Sequence, residues 1–391
     1  MKILAVTWKT PQPDQSSGDL RFFTLLSLLA RQCDVHLCAY SDKPNDGSAA
    51  ARAALQLRGV KVREDSLTAC LADASLDVVL AEFYSVALLV EPAVRAWKPS
   101  ARLVVDSVDV HFHRMRSKAQ LTGADMDCAS AEEVQREEMS AYQHSDLVVT
   151  VSRSDSQILE AEGMTTETFV IPNIHIMHDA PPRTRTPRLE LIFIGGYNHA
   201  PNIDAIVFFC EEILPLVRQK IPSLRLRVIG SKPTKQVLDL QAADIEVLGY
   251  VADTTPYLFS SDISVAPLRY GGGIKGKIGE ALAHGVPVVT TAVGAEGFGF
   301  KSGIELIIAD GPEAFADAIV ALWQDPALFE KMRMDGWRAI NEKYSVSSVE
   351  HLLPALLNRM ETLSAKRKSL FQRLKVKTRY YAQQHLKIGR S

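Results

Sequence analysis

The chain has 391 residues, of which 47% are hydrophobic and 23% charged, with a formal net charge of −2. That balance describes a folded protein too long for one ordinary core; it excludes a disordered chain and a global field that would draw it to nucleic acid or anionic lipid. The five cysteines (Cys33, Cys38, Cys70, Cys128 and Cys210) are odd in number and lack metal-ligand spacing, which predicts buried thiols in a reducing cytosol and no zinc site.

The opening stretch "MKILAVTWKT" carries an apolar run too short for a signal peptide and reads as a first strand. No later segment approaches about eighteen uninterrupted apolar residues, so the expectation is a cytoplasmic protein without a membrane span. After the first strand comes "TPQPDQSSGDLRFF". Gly18 allows close backbone approach there and Asp19 is placed to cap the next helix. An ordinary strand-to-helix connection has the same composition.

Short apolar runs then alternate with longer amphipathic ones: "DVHLCAY", "VKVRE", "DVVLAEF", "RLVVDSV", "DLVVTVS" and "TFVIPN" are the next strands. This is the rhythm of a parallel sheet covered by helices. The strand "RLVVDS" ends near Asp106, which puts Asp109, His111, His113 and Arg114 at the carboxyl edge where ligands bind in such sheets. Isolated histidines are usually surface or satisfied core residues, but this density of titratable groups at a strand end favours a site. The "DMD" at 125–127 has the D-x-D form of a metal motif, yet it sits in helix-forming sequence, where acidity at a helix entry is the simpler account. No obligatory metal is expected.

Pro181, Pro182 and Pro187 stand among polar and basic residues, a linker signal that places a domain boundary at about 176–188. Beyond it the strand rhythm restarts with "LELIFIGG", "LRLRVIG", "IEVLGYV", "ISVAPL", "VPVVTT" and "ELIIAD". The expected fold is α/β, with two Rossmann-like parallel sheets facing across a cleft.

The segment "PLRYGGGIKGKIGEALAHGVPVVTT" is the most informative. It contains G-x-G-x-x-G from Gly271 to Gly276 and G-x-x-x-x-G-K from Gly271 to Lys277. A strand, a glycine loop and a helix start suit a pyrophosphate, with Gly273 near the ligand and Lys275 and Lys277 adding charge. Ile278 occupies the place of the hydroxyl that an ATPase loop uses for magnesium, which argues against that class. A dinucleotide fold would want the loop after its first strand and an acidic ribose ligand about twenty residues on, and Glu296 has that spacing only within the glycine-rich "AVGAEGFGF". That turn serves equally as a ligand contact or as a plain turn. Glu280 follows Lys277 by three positions on one helix face, so the pair can hold phosphate and ribose together. A simple surface Lys–Glu pair is the plainer alternative.

These residues resemble the donor-binding segment of family-4 glycosyltransferases, enzymes of the two-domain GT-B fold. The resemblance continues in "VSRSDSQIL", "VIPNIH" and "LIFIGGYNHAPNIDAIVFF". It implies a first domain over 1–177 on the acceptor side, a nucleotide-sugar domain over 178–345, a helix over 346–365 packing back on the first domain, and a tail over 366–391. It also implies that Glu280 contacts the donor ribose, that His111 faces the donor sugar, and that the Gly18 loop lies over the donor phosphates. Asp109 and Arg114 would support His111, and Asn173 belongs to the pattern closing the first domain. Family members often carry Arg and Lys where Gly195, Gly196 and Asn198 stand here, and a glutamate where Gly272 stands. The donor-binding set is then Gly18, Gly196, Gly273, Lys275, Lys277, Glu280 and Glu296.

The activity implied is retaining transfer of a sugar from a nucleotide-diphosphate donor to a glycan or lipid-linked acceptor in polysaccharide biosynthesis, with no cofactor. Two further classes fit the same features: a sugar-nucleotide epimerase of this fold and a non-catalytic nucleotide-sugar-binding protein. The tail holds nine Lys/Arg and no acid, interleaved with Leu, Phe and Tyr. Both a solvated tail and a segment lying on the inner membrane face fit that pattern.

Overall fold

The computed structural model describes residues 1–42, 47–123, 125–179 and 187–378. Most of the proline-rich boundary and the end of the basic tail therefore lie outside the described residues.

The first half forms a seven-stranded sheet from β1 (Lys2–Thr7), β2 (Asp34–Ala39), β3 (Lys61–Arg63), β4 (Val78–Glu82), β5 (Arg102–Asp106), β6 (Leu147–Thr150) and β7 (Thr168–Val170). Its order is β3-β2-β1-β4-β5-β6-β7, and every pairing is parallel. The second half forms a six-stranded sheet from β8 (Leu189–Ile194), β9 (Leu224–Ile229), β10 (Ile245–Gly249), β11 (Ile263–Ala266), β12 (Val288–Thr290) and β13 (Ile307–Ile308), ordered β10-β9-β8-β11-β12-β13. These pairings are parallel as well. Helices cover both faces of each sheet, so strands such as "VVLAE" are buried at every position.

Each order reverses once, between β1 and β4 in the first sheet and between β8 and β11 in the second. At such a reversal the flanking helices leave in opposite directions and open a crevice outside the strand ends. The two crevices face each other.

The ends of the chain cross the domains. The chain bridges His175 to Ser345, then forms helices Val346–Glu350 and Leu353–Thr362. Val349, Leu353, Leu356 and Met360 are buried in the same core cluster as Ile3, Leu26 and Val35 of the first domain. Cys33, Cys38, Cys70 and Cys210 are at least partly buried, whereas Cys128 is exposed, because it lies on the outer part of helix Asp125–His144. The expectation of buried thiols fails at that position. No helix among the described residues is long and apolar enough to cross a membrane.

Candidate functional site

On the first-domain side, the turn after β5 is built under strain. Val108 has φ +60°, and the amide of Asp109 donates to the carbonyl of Ser107 at 2.6 Å, closing a tight three-residue turn. A β-branched residue pays for that conformation with steric clash, and strain of this kind clusters where a fold must aim side chains. Here it aims Asp109 and the start of helix His111–Thr122 into the cleft. The Asp109 carboxylate holds His111 Nδ1 at 2.9 Å through one oxygen and accepts from Arg114 Nε at 2.9 Å through the other.

Below them Glu138, fully buried, accepts from the amides of His111 (3.1 Å) and Phe112 (2.9 Å) and from the Tyr142 hydroxyl (2.8 Å). Its carboxylate therefore caps the first turn of the helix that carries His111. Burial disfavours charge on His111, but the Asp109 and Glu138 carboxylates outweigh it and raise the imidazole to about 10. Burial likewise opposes ionisation of Asp109, and the charges of His111 and Arg114 overcome it, leaving the carboxyl well below its usual range. At neutral pH the His111 ring is a cation that can donate a hydrogen bond and cannot act as a base.

Helix Ser17–Leu29 enters the same crevice. Its cap is Ser16, whose Oγ accepts from the Asp19 amide at 3.0 Å. Asp19 sits three residues further on, where its Oδ2 accepts from the Ser16 hydroxyl at 2.5 Å, so the expectation that Asp19 caps the helix is corrected. Gly18 is inside the first turn, where a Cβ would stand 3.3 Å from Val108 Cγ1. Its smallness serves the approach of helix to turn. Buried Arg21 fixes that approach, reaching Asp106 at 2.6 Å and the carbonyl of Ile171 at 2.8 Å.

On the second-domain side, the residues after β8 and β11 line the reversal point. Gly196 offers its carbonyl to Asn202 Nδ2 at 2.8 Å, and Asn202 Oδ1 accepts from Lys277 Nζ. The Lys277 ammonium also lies 4.8 Å above the Phe193 ring at the end of β8. Burial, with the neighbouring Lys275 charge, lowers Lys277 to about 7. Glu280 turns to another element, accepting from Thr254 Oγ1 at 2.5 Å, and burial raises its carboxyl. Lys277 and Glu280 thus have separate partners on separate elements, so the simple surface pair is not what forms.

Lys275 is buried, donating to the Gly273 carbonyl at 2.8 Å and lying 3.2 Å from Glu296. Burial lowers its ammonium against the pull of Glu296. The other oxygen of Glu296 meets His113 Nε2 of the first domain at 3.0 Å. Burial works against the Glu296 carboxylate, but His113 and Lys275 hold it below its usual range. Glu296 therefore bridges the two domains.

The domains meet through glycines. A Cβ on Gly272 would stand 2.9 Å from Arg114 Cβ, one on Gly273 2.9 Å from Asp109 Cβ, and one on Gly276 2.2 Å from Ser17 Cβ. Gly273 also needs φ +61°. Arg114 thus fills the space a side chain at 272 would need, which accounts sterically for the missing carboxylate. Asn173 steadies this loop by donating to the Ile274 carbonyl at 3.1 Å. As a result the N-termini of helices Ser17–Leu29 and Gly276–Ala283 abut across the cleft, and the second has no side-chain cap.

The "DMD" segment stays outside this assembly. Asp127 accepts from Lys118 at 2.8 Å and Thr122 at 3.0 Å. Three contributors escaped sequence reading: Glu138, Asn202 and Thr254 each act on a recognised residue from a distant element, and nothing in their local sequence marks them.

Residues 188–325 match the family described as "Glycosyl transferases group 1". That match lies within the second domain, and the two facing parallel sheets give the chain the GT-B fold of the solved structures below. Three relatives are informative. The chain is 21% identical over 169 residues to an uncharacterized 44.6 kDa protein in the cps region of Klebsiella pneumoniae; that match spans 41% of this chain and 44% of the relative, less than half its length. The sucrose-phosphate synthase tll1590 of Thermosynechococcus elongatus superposes with TM-score 0.69 at 13% identity, over 92% of this chain and 99% of that one. Anabaena Alr3699/HepE, solved with UDP and glucose, superposes with TM-score 0.67 at 14% identity, over 92% of this chain and all of its own (100%).

Proposed function

We propose that the protein is a family-4-type retaining glycosyltransferase that moves a sugar from a nucleoside diphosphate donor to a glycan or lipid-linked hydroxyl. The carrying observation is the meeting of two helix N-termini from opposite domains beside Lys277. Aligned N–H groups and dipole ends make that point favourable for a diphosphate, and no side chain caps helix Gly276–Ala283, although its Ile278 amide turns back to the Lys275 carbonyl at 3.0 Å. Lys277 and Lys275 neutralise charge as the diphosphate leaves, the largest electrostatic demand of the reaction. Glu280 takes the ribose hydroxyls, and Gly196 and Gly273 let backbone approach the donor. Cationic His111, held by Asp109 and steadied by Arg114, donates to the sugar. Gly18, Asn173 and Glu296 keep the two halves in register.

The UDP bound by Anabaena Alr3699/HepE supports uridine as the base, and the cps-region relative supports a place in polysaccharide assembly. No resident metal or cofactor takes part in this scheme, so transfer persists in excess EDTA. A non-catalytic binding role would draw on the absent carboxylate at 272, but that absence has a steric cause. An epimerase of the same fold would turn over donor without acceptor.

The test is thermal shift against a panel of nucleotide sugars, followed by product analysis with and without acceptor. Wild type is stabilised by one donor, and Lys277→Ala and Glu280→Ala each weaken that stabilisation at least tenfold in half-saturating concentration. Unchanged stabilisation in both variants removes the site assignment; an altered sugar nucleotide in the absence of acceptor replaces transferase with epimerase.

A further inference from the structure

The tail segment after helix Leu353–Thr362 is pinned to the first domain and then exposes apolar side chains. The amide of Lys366 donates to Asp146 Oδ1 at 2.7 Å, and its ammonium donates to the Gln143 carbonyl at 2.8 Å. Lys368 pairs with Glu91 at 2.8 Å, and Lys377 lies 5.8 Å from the ring centre of Trp97. Both partners belong to helix Tyr84–Trp97, so the helical stretch 370–378 runs along it.

The orientation of that stretch is the reverse of what water selects. Arg373, Val376 and Lys377 are partly buried toward the domain, whereas Leu370, Phe371 and Leu374 are 67%, 78% and 54% exposed. Positions i, i+1 and i+4 share one helix face, so the three form a single apolar ridge. Arg367 and Lys375 are exposed around it. Over 366–391 the chain carries nine Lys/Arg and no acid. A cluster of exposed large apolar residues ringed by one sign of charge calls for a covering surface of opposite sign.

We propose that this ridge docks on an anionic lipid surface, with Leu370, Phe371 and Leu374 entering the headgroup boundary and Arg367 and Lys375 meeting lipid phosphates. The lysine contacts to Glu91, Asp146 and Gln143 hold the ridge outward, so the first domain rides on the membrane. The inference is independent of the donor site. It matches the proposed lipid-linked acceptors without requiring them.

The experiment is co-sedimentation of the full chain with vesicles of phosphatidylcholine alone and of phosphatidylcholine with about a third phosphatidylglycerol. The wild type partitions to the anionic vesicles at least tenfold more strongly than to neutral ones, and added salt weakens the binding. The triple variant Leu370→Ser, Phe371→Ser, Leu374→Ser loses at least tenfold of it, while keeping wild-type circular dichroism and donor thermal shift. Equal binding of wild type to both vesicle types overturns the proposal. So does full binding by the triple variant. Sedimentation velocity provides the remaining arm: a wild-type dimer that the triple variant dissociates assigns the ridge to a second copy and also overturns it. Loss of donor binding in Lys277→Ala with vesicle binding intact separates the failure of this inference from failure of the functional reading.

Discussion

Lys277 is a residue whose chemistry the fold alters strongly for its proposed task. Its ammonium is drawn from water toward Asn202 and Phe193 with no carboxylate partner among the described residues, and burial with the Lys275 charge brings it down to about 7. Lys275 next to it is compensated by Glu296, and burial lowers His199 at the neighbouring helix entry to about 4, so that ring adds no charge at neutral pH. The sign follows directly. The charged lysine favours the donor diphosphate, whose own charge is constant across this range, so binding holds Lys277 protonated. Donor affinity is therefore full below about pH 7 and falls toward tenfold per pH unit above it, until the pKa of the bound state is reached. Calorimetry at pH 8.5 in buffers of different ionisation enthalpy should show proton uptake on donor binding, and Lys277→Met should abolish both the uptake and the slope. A donor affinity independent of pH between 6.5 and 8.5 contradicts this account. The Lys275 charge stands in the loop sequence, but the larger cause, burial of Lys277, comes from packing against other elements and is not legible there.

At the scale of elements, sequence reading located the glycine-lysine loop and its helix but assigned the glycines one purpose. "GGGIKGKIG" does precede a helix at the carboxyl edge of a parallel sheet. Its glycines serve protein contacts at least as closely as any ligand: Gly272 faces Arg114, Gly276 faces Ser17, and a Cβ on Gly279 would stand 2.1 Å from His175 Nε2. A domain interface is formed by residues far apart in the chain, so no local pattern announces it. The strained turn at Val108 and the cap on Glu138 were hidden for the same reason, although "VVDSVDVHFHR" itself stood out. Gly276→Ala tests the interface. In an isolated helix this change stabilises by about 1 kcal/mol. Here the added methyl has no room beside Ser17, so a net loss of about 1–3 kcal/mol is expected, as in overpacked cores. Ser17→Gly in the same chain removes the opposing Cβ and should recover a measurable part of that loss in a denaturation double-mutant cycle. Strict additivity of the two changes would place the helices apart in solution.

For the whole molecule, the two-sheet architecture was readable because parallel strands buried on both faces appear as short continuous apolar runs with helical stretches between them. The order of the strands and the direction in which the cleft faces follow from packing and are not written in any run. The return of the chain to its first domain is the clearest case. Val349, Leu353, Leu356 and Met360 belong to the core around β1 and β2, more than three hundred residues earlier in the sequence. Burying each such side chain contributes about 1.5–3 kcal/mol, so together they supply about 6–12 kcal/mol, comparable with the entire stability of a domain. Two truncations separate this role from that of the tail. A chain ending at residue 345 loses all four side chains and exposes the core face they cover, so its first domain should not fold. A chain ending at residue 365 keeps them and should retain a cooperative melt close to that of the full protein, even though it lacks the exposed apolar ridge. Soluble expression and thermal unfolding of the two chains decide the matter, and a chain ending at 345 that melts like wild type would show that the first domain closes its core without the returning helices.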